Sequence, residues 1–211
     1  MPSTPFESFE STYVVLAAEN VDTDQIIPAR FLTTTERTGL GPHAFHDWRY
    51  RPDGSPNPDF PLNRPEAAGA RVLVAGRNFG CGSSREHAVW ALLGAGFQAV
   101  VSTEFADIFR GNALGNGLLP VQVEPAVVEA LIGAAASGTR PCVRVELDAQ
   151  RLVLPGGAVA APFPLAPFAR HCLQHGIDEL DFLLGAAPEI DAYEARNPAL
   201  ISTLSPTAYH G

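Results

Sequence analysis

Hydrophobic positions along this chain fall into short unbroken runs separated by polar, Gly-rich and Pro-rich stretches. Tyr13–Ala18 (YVVLAA), Arg71–Ala75 (RVLVA), Gln98–Ser102 (QAVVS) and Leu118–Val123 read as buried strands. Continuous apolar runs of that length, bounded by turn residues, suit strands covered on both faces. Helical spacing follows the last three of them, over Arg85–Ala95, Glu104–Leu114 and Pro125–Ala136, the last with Pro at its first turn. This βαβαβα alternation from Arg71 to Ala136 predicts an α/β fold with a parallel sheet flanked by helices. Beyond it, Arg144–Leu147 and Arg151–Leu154 predict a hairpin turning at Asp148–Gln150, and Leu165–Gly176 and Ile177–Leu184 predict helices. Asn20–Asp24 reads as a polar turn, Thr33–Leu40 as a mobile loop and Arg49–Pro65 as a surface excursion. The expected organisation is one domain over residues 1–185 and a C-terminal arm over 186–211, with no internal repeat.

Composition narrows the function. The 211 residues are 46% hydrophobic and carry a formal charge of −9, enough apolar material for a core and the wrong sign for a nucleic-acid binder. The 14 basic residues are all Arg, so Schiff-base and Walker-type lysine chemistry is excluded. No apolar run is long enough to span a bilayer, and Met1–Glu10 lacks the basic and apolar regions of a signal peptide. The cysteines, Cys81, Cys142 and Cys172, are spaced 142 − 81 = 61 and 172 − 142 = 30 residues apart. That spacing makes neither a disulfide framework nor a metal set, and the expected compartment is the reducing cytoplasm.

Three segments carry candidate chemistry. Gly76–His87 (GRNFGCGSSREH) lies between a predicted strand and helix, at the sheet edge where α/β proteins bind ligands. Ser83, Ser84 and Arg85 there offer two hydroxyls and a guanidinium fork to an anion. The alternative is a Gly-rich helix entry with a Ser cap and Glu86 completing a capping box. Cys81 either lines the same site or is a small buried apolar residue. His87 either orients Arg85 or Ser83 or is a plain first-turn residue. In Asn20–Leu32 (NVDTDQIIPARFL), Asp22 and Asp24 share a side if the backbone is extended, and otherwise form an Asx-type turn. Phe105–Pro120 (FADIFRGNALGNGLLP) places Asn112 and Asn116 four apart among glycines, the pattern of a capped helix end, with Arg110 facing outward. His43 and His46 are three apart with no matching ligand pair.

These three strings, in this order and at this spacing, together with HCLQHGIDELDFLL near the end, resemble the small subunits of 3-isopropylmalate dehydratase. The likeness runs over roughly the whole chain. GxGSSREH is a signature of the wider aconitase superfamily, in which the corresponding piece is a swivelling domain of β/β/α type. Val89 departs from the Pro found in many bacterial relatives, at a helical position that bears on packing. The resemblance implies that Ser83 is the catalytic base, that Ser84 and Arg85 bind substrate oxygens, and that Asp24 is an acidic residue of the site. It implies that Phe31, Leu32, Thr33 and Thr34 read the variable side group of the substrate. It further implies a dicarboxylate substrate and a large partner subunit whose three cysteines hold a [4Fe–4S] cluster, with no metal on this chain. Two other readings remain open: a small subunit acting on homoaconitate or citraconate/methylmalate, which Arg37 near Leu32 keeps in play, and a non-catalytic anion-binding regulatory module. A Ser hydrolase built on Ser83 lacks its GxSxG elbow.

Overall fold

Strands β2 (Val72–Ala75) and β3 (Ala99–Ser102) are buried at every position, and β4 (Leu119–Gln122) at all but its last. Such strands need cover on both faces, and they receive it. The computed structural model describes residues 4–33, 35–138, 140–157 and 159–197. Among these, seven strands form one sheet in the order β4-β3-β2-β1-β5-β6-β7. β1 (Phe9–Leu16) is the hinge of the topology. Its second half, Tyr13–Leu16, runs parallel to β2, while Phe9–Thr12 pairs antiparallel with β5 (Cys142–Glu146). β2, β3 and β4 continue the parallel half; β5, β6 (Arg151–Val153) and β7 (Ala160–Pro162) form an antiparallel meander.

The helices are α1 (Thr23–Ile26), α2 (His46–Arg49), α3 (Glu86–Gly94), α4 (Asp107–Gly115), α5 (Pro125–Ala136), α6 (Pro167–His175), α7 (Glu179–Gly185) and α8 (Ala187–Arg196). Alternation along the strands sorts them into two cores. Leu73 and Ala75 of β2 join Val14, Leu16 and Val100 under Ile26, Ala88–Leu92 and Phe109. Val72 and Val74 face the other way, onto Val128 and Leu131 of α5 and Leu173 of α6. The parallel alternation, the hairpin and the two closing helices stand as the sequence predicts. The expected turn at Asn20–Asp24 is instead partly helical, since α1 starts at Thr23. Gly176 ends α6 in the left-handed conformation (φ 65°), and Asp178 opens α7 with a reciprocal capping box. Of the expected arm, residues 187–196 are the helix α8, which packs on α7; 198–211 lie outside the described residues.

Candidate functional site

The carboxyl ends of β1, β2 and β3 deliver the three chemistry-bearing segments to one sheet edge, and backbone hydrogen bonds stitch them together. From the β1 side, Gly80 N–H donates to Val21 O at 2.8 Å, and Thr23 N–H to Cys81 O at 2.9 Å. From the β3 side, Phe79 N–H donates to Glu104 O at 3.0 Å, and Ala106 N–H to Phe79 O at 3.1 Å. The loop from Gly76 to Arg85 is therefore clamped on both sides. Its glycines answer to that crowding. A Cβ on Gly76 would lie 2.4 Å from the Ala18 carbonyl oxygen. Gly80, at φ 78°, leaves room for Phe109, whose ring a Cβ would meet at 2.2 Å.

Arg85 stands at the N-cap of α3 in extended conformation (φ −142°, ψ 108°) and makes no side-chain cap. Ser83 and Ser84 precede the helix and are exposed. The Ser-cap and capping-box reading of this segment is thereby overturned: the extended backbone at Arg85 carries both hydroxyls out of the first helical turn. Arg85 also lies just outside that turn. Helix-dipole stabilisation at Ser83 is correspondingly weak, because it fades within the terminal turn. The positive charge of the site rests on the Arg85 guanidinium, which pairs with Asp24 through Nη1. The side chain of Arg85 is 19% exposed and that of Asp24 53%.

Asp22 and Asp24 have separate duties. Asp22 caps α1: its carboxylate accepts from Gln25 N–H at 2.7 Å, and the Gln25 side chain accepts from Asp22 N–H at 2.9 Å. The one-turn helix that follows rotates Asp24 toward Arg85. The shared side expected of an extended backbone does not form.

Two positioning groups went unseen in the sequence. Thr23 Oγ1 donates to the Ser83 carbonyl at 3.0 Å, fixing the peptide that carries the serine. Asn112 Nδ2 sits 3.5 Å from Ser84 Oγ. No spacing rule links positions 60 residues apart, so Thr23 carried no signal; Asn112 carried one only as a possible cap. Asn116, its neighbour one turn on, does cap α4, and its side-chain oxygen Oδ1 accepts from Trp90 Nε1 at 2.8 Å. Arg110, expected to face outward, instead donates to Gln122 Oε1 at 3.0 Å. Cys81 is half-buried, its thiol toward the Asn20 carbonyl at 3.3 Å. His87 leans on Trp90, with ring centres 4.7 Å apart.

Phe31 closes a 3-10 turn, Ala29–Phe31, begun by Pro28. Phe31 and Leu32 are partly buried against the first core, Thr33 is exposed, and Thr34 lies outside the described residues. Of the arginines near Leu32 in sequence, Arg30 forks onto Asp47, and the Arg37 guanidinium lies 5.6 Å from the Trp90 ring centre.

Cys81, Cys142 and Cys172 lie respectively in the site loop, at the exposed start of β5 and buried in α6. Among the described residues no three His, Cys, Asp or Glu side chains gather as a metal set. No helix among them is long and apolar enough to cross a membrane.

Residues 4–126 match the family model of the aconitase C-terminal domain. The chain is 54% identical, over 94% of its length and 97% of the relative's, to a 3-isopropylmalate dehydratase small subunit of Chloroflexus aggregans. It is 58% identical, over 90% and 97%, to one of Anaeromyxobacter dehalogenans. Among solved structures, a 3-isopropylmalate dehydratase from Methanocaldococcus jannaschii superposes with a TM-score of 0.62 at 28% identity, covering 88% of this chain and 99% of the other. The mixed seven-stranded sheet with its flanking helices is shared with that structure.

Proposed function

The chain belongs to the family of 3-isopropylmalate dehydratase small subunits, and from that premise we propose how its residues serve the reaction. The assembled enzyme is a hydro-lyase of leucine biosynthesis, acting in the cytoplasm. It removes water from 2-isopropylmalate to give isopropylmaleate and adds water back one carbon over to give 3-isopropylmalate. Each half needs a base at the carbon next to a carboxylate, clamps on two carboxylates and a Lewis acid for the departing hydroxyl.

The observation that carries the reading is the meeting of Ser83, Arg85 and Asp24 at one sheet edge, from segments 61 residues apart. Ser83 takes the proton. Its peptide is held by Thr23, its side chain is open to solvent, and Arg85 two residues on supplies the positive charge an alkoxide-like base requires. Arg85 clamps a substrate carboxylate with the donors that Asp24 leaves free, and Asp24 holds the guanidinium in place. Ser84, with Asn112 beside it, binds a second substrate oxygen. Phe31, Leu32, Thr33 and Thr34 receive the variable side group. An isopropyl group suits the apolar faces of Phe31 and Leu32 beside the Thr33 hydroxyl.

The Lewis acid is the part this chain does not furnish. Its cysteines are scattered over three elements and do not fit a cluster. We assign a [4Fe–4S] cluster, which would supply that Lewis acidity, to a large partner subunit. The test is reconstitution under anaerobic conditions. Isopropylmaleate hydration should appear when the chain is assembled with a large subunit and be absent from either protein alone. Substantial turnover by this chain by itself would refute the division of labour.

A further inference from the structure

Among the described residues, one buried side-chain polar atom has no hydrogen-bond partner: Nδ1 of His43. An orphan of this kind calls for a local cause. His43 ends the 3-10 turn Gly41–His43, which packs against α3, and it is followed by Ala44 and Phe45, both fully buried. Its backbone is thus anchored in the first core. Its ring lies flat on Phe31, with centroids 4.0 Å apart and planes 13° from parallel. With Nδ1 unpaired, that stack orients the imidazole, and by the same contact the anchored imidazole orients Phe31. Burial first, then the nearby His46 and the positive charge of Arg30, push the His43 pKa down, against protonation of the stacked ring.

The surroundings complete a brace. His46, at the start of α2, tilts against Phe31 at 4.8 Å and shares a 3.1 Å hydrogen bond with Arg30. The Arg30 guanidinium lies 4.7 Å from the Phe31 ring centre and forks onto Asp47. Residues 43, 46 and 47 therefore grip residues 30 and 31, immediately before Leu32 and Thr33. We propose that His43 is a positioning residue for substrate choice: stacked on Phe31, it fixes where Phe31 and Leu32 meet the substrate's variable side group. This rests on the reading that Phe31–Thr33 lines the substrate pocket.

The experiment compares wild type, His43→Ala, His43→Phe and Leu32→Arg, each assembled with the large subunit. It measures kcat and KM for hydration of isopropylmaleate and of citraconate (methylmaleate), which carries a methyl in place of isopropyl. His43→Ala should raise KM for isopropylmaleate about tenfold and reduce the preference over citraconate to match, the scale of a lost methylene-sized contact, with kcat within about twofold. His43→Phe, which keeps an aromatic face, should restore both. If His43→Ala fails to assemble, His43→Leu takes its place, filling the volume without an aromatic face, and should show the same loss. An unchanged preference in the Ala or Leu variant, an equal fall in kcat on both substrates, or a Phe variant that behaves like Ala would overturn the proposal. Leu32→Arg separates the two layers. If it too leaves the relative rates unchanged, the loop is outside the pocket and the underlying reading fails. If it shifts them while His43→Ala does not, only the positioning role falls.

Discussion

Arg85 is the residue on which the site's charge depends, and its geometry says what it can do. One nitrogen is held by Asp24, the side chain is largely shielded, and a planar fork remains for a carboxylate. Arg85→Lys keeps the charge and loses the fork. With about 1.5–3 kcal/mol for a lost charged hydrogen bond, KM should rise roughly ten- to a hundredfold in the assembled enzyme. The melting temperature should move little, because Asp24, the other half of the ion pair, is open to solvent and Lys keeps the charge, so the change in the pair is worth only about 0–1 kcal/mol. An unchanged KM beside a large melting shift would make Arg85 a structural residue. Asp22 and Asp24 mark where residue-level reading of the sequence stopped. Both were visible as candidate carboxylates, yet their division into a helix cap and an arginine partner depends on a single turn of helix, Thr23–Ile26, too short to leave a periodic signal. Ser83 and Arg85 were legible as a motif. That the serines stand outside the helix was not, because it turns on the extended backbone of Arg85.

At the scale of elements, the parallel strands were readable because both their faces are buried, which leaves no polar position to blur the run. The first half of β1 escaped notice because Glu10, Ser11 and Thr12 make it polar, with Phe9 and Ser11 buried and Glu10 exposed. β7 escaped because three residues of Ala and Pro carry no strand signal. The contact between α3 and α4 also lay beyond the sequence. Trp90 and Asn116 are each 8% exposed, and the indole N–H has the Asn116 side chain as its acceptor. That bond ties α3, the helix that follows Ser83–Arg85, to α4, the helix that carries Asn112. Asn116→Leu leaves the indole N–H buried and unpaired, at about 1–3 kcal/mol. In a chain of this size the melting midpoint should fall by roughly 2–4 °C per kcal/mol, measurable by calorimetry on the isolated chain. An unchanged midpoint would show that the hydrogen bond contributes nothing to the packing of α3 on α4.

Taken as a whole, the molecule is built around an edge that is finished on one side only. β1 and β2 bring Asp24 and the Ser83–Arg85 segment together there, and the segment after β3 holds the loop from its other side. Two cores, one on each face of the sheet, hold them there. Ser83, Ser84 and Asp24 nevertheless remain open to solvent. Removing water from a hydroxy acid needs a drier, more charged enclosure than such an edge supplies, and a Lewis acid besides. On the function proposed above, a large subunit covering this edge would provide both. The measurement that bears most directly on this is the turnover of Ser83→Ala in the assembled enzyme, taken beside its melting curve and its assembly with the large subunit. Loss of one exposed hydroxyl should leave folding and assembly as in wild type, while kcat falls by about two to four powers of ten, the scale of a lost general base. If Ser83→Ala assembles normally and turns over at close to the wild-type rate, another group takes the proton and the assignment of the base to this chain is wrong.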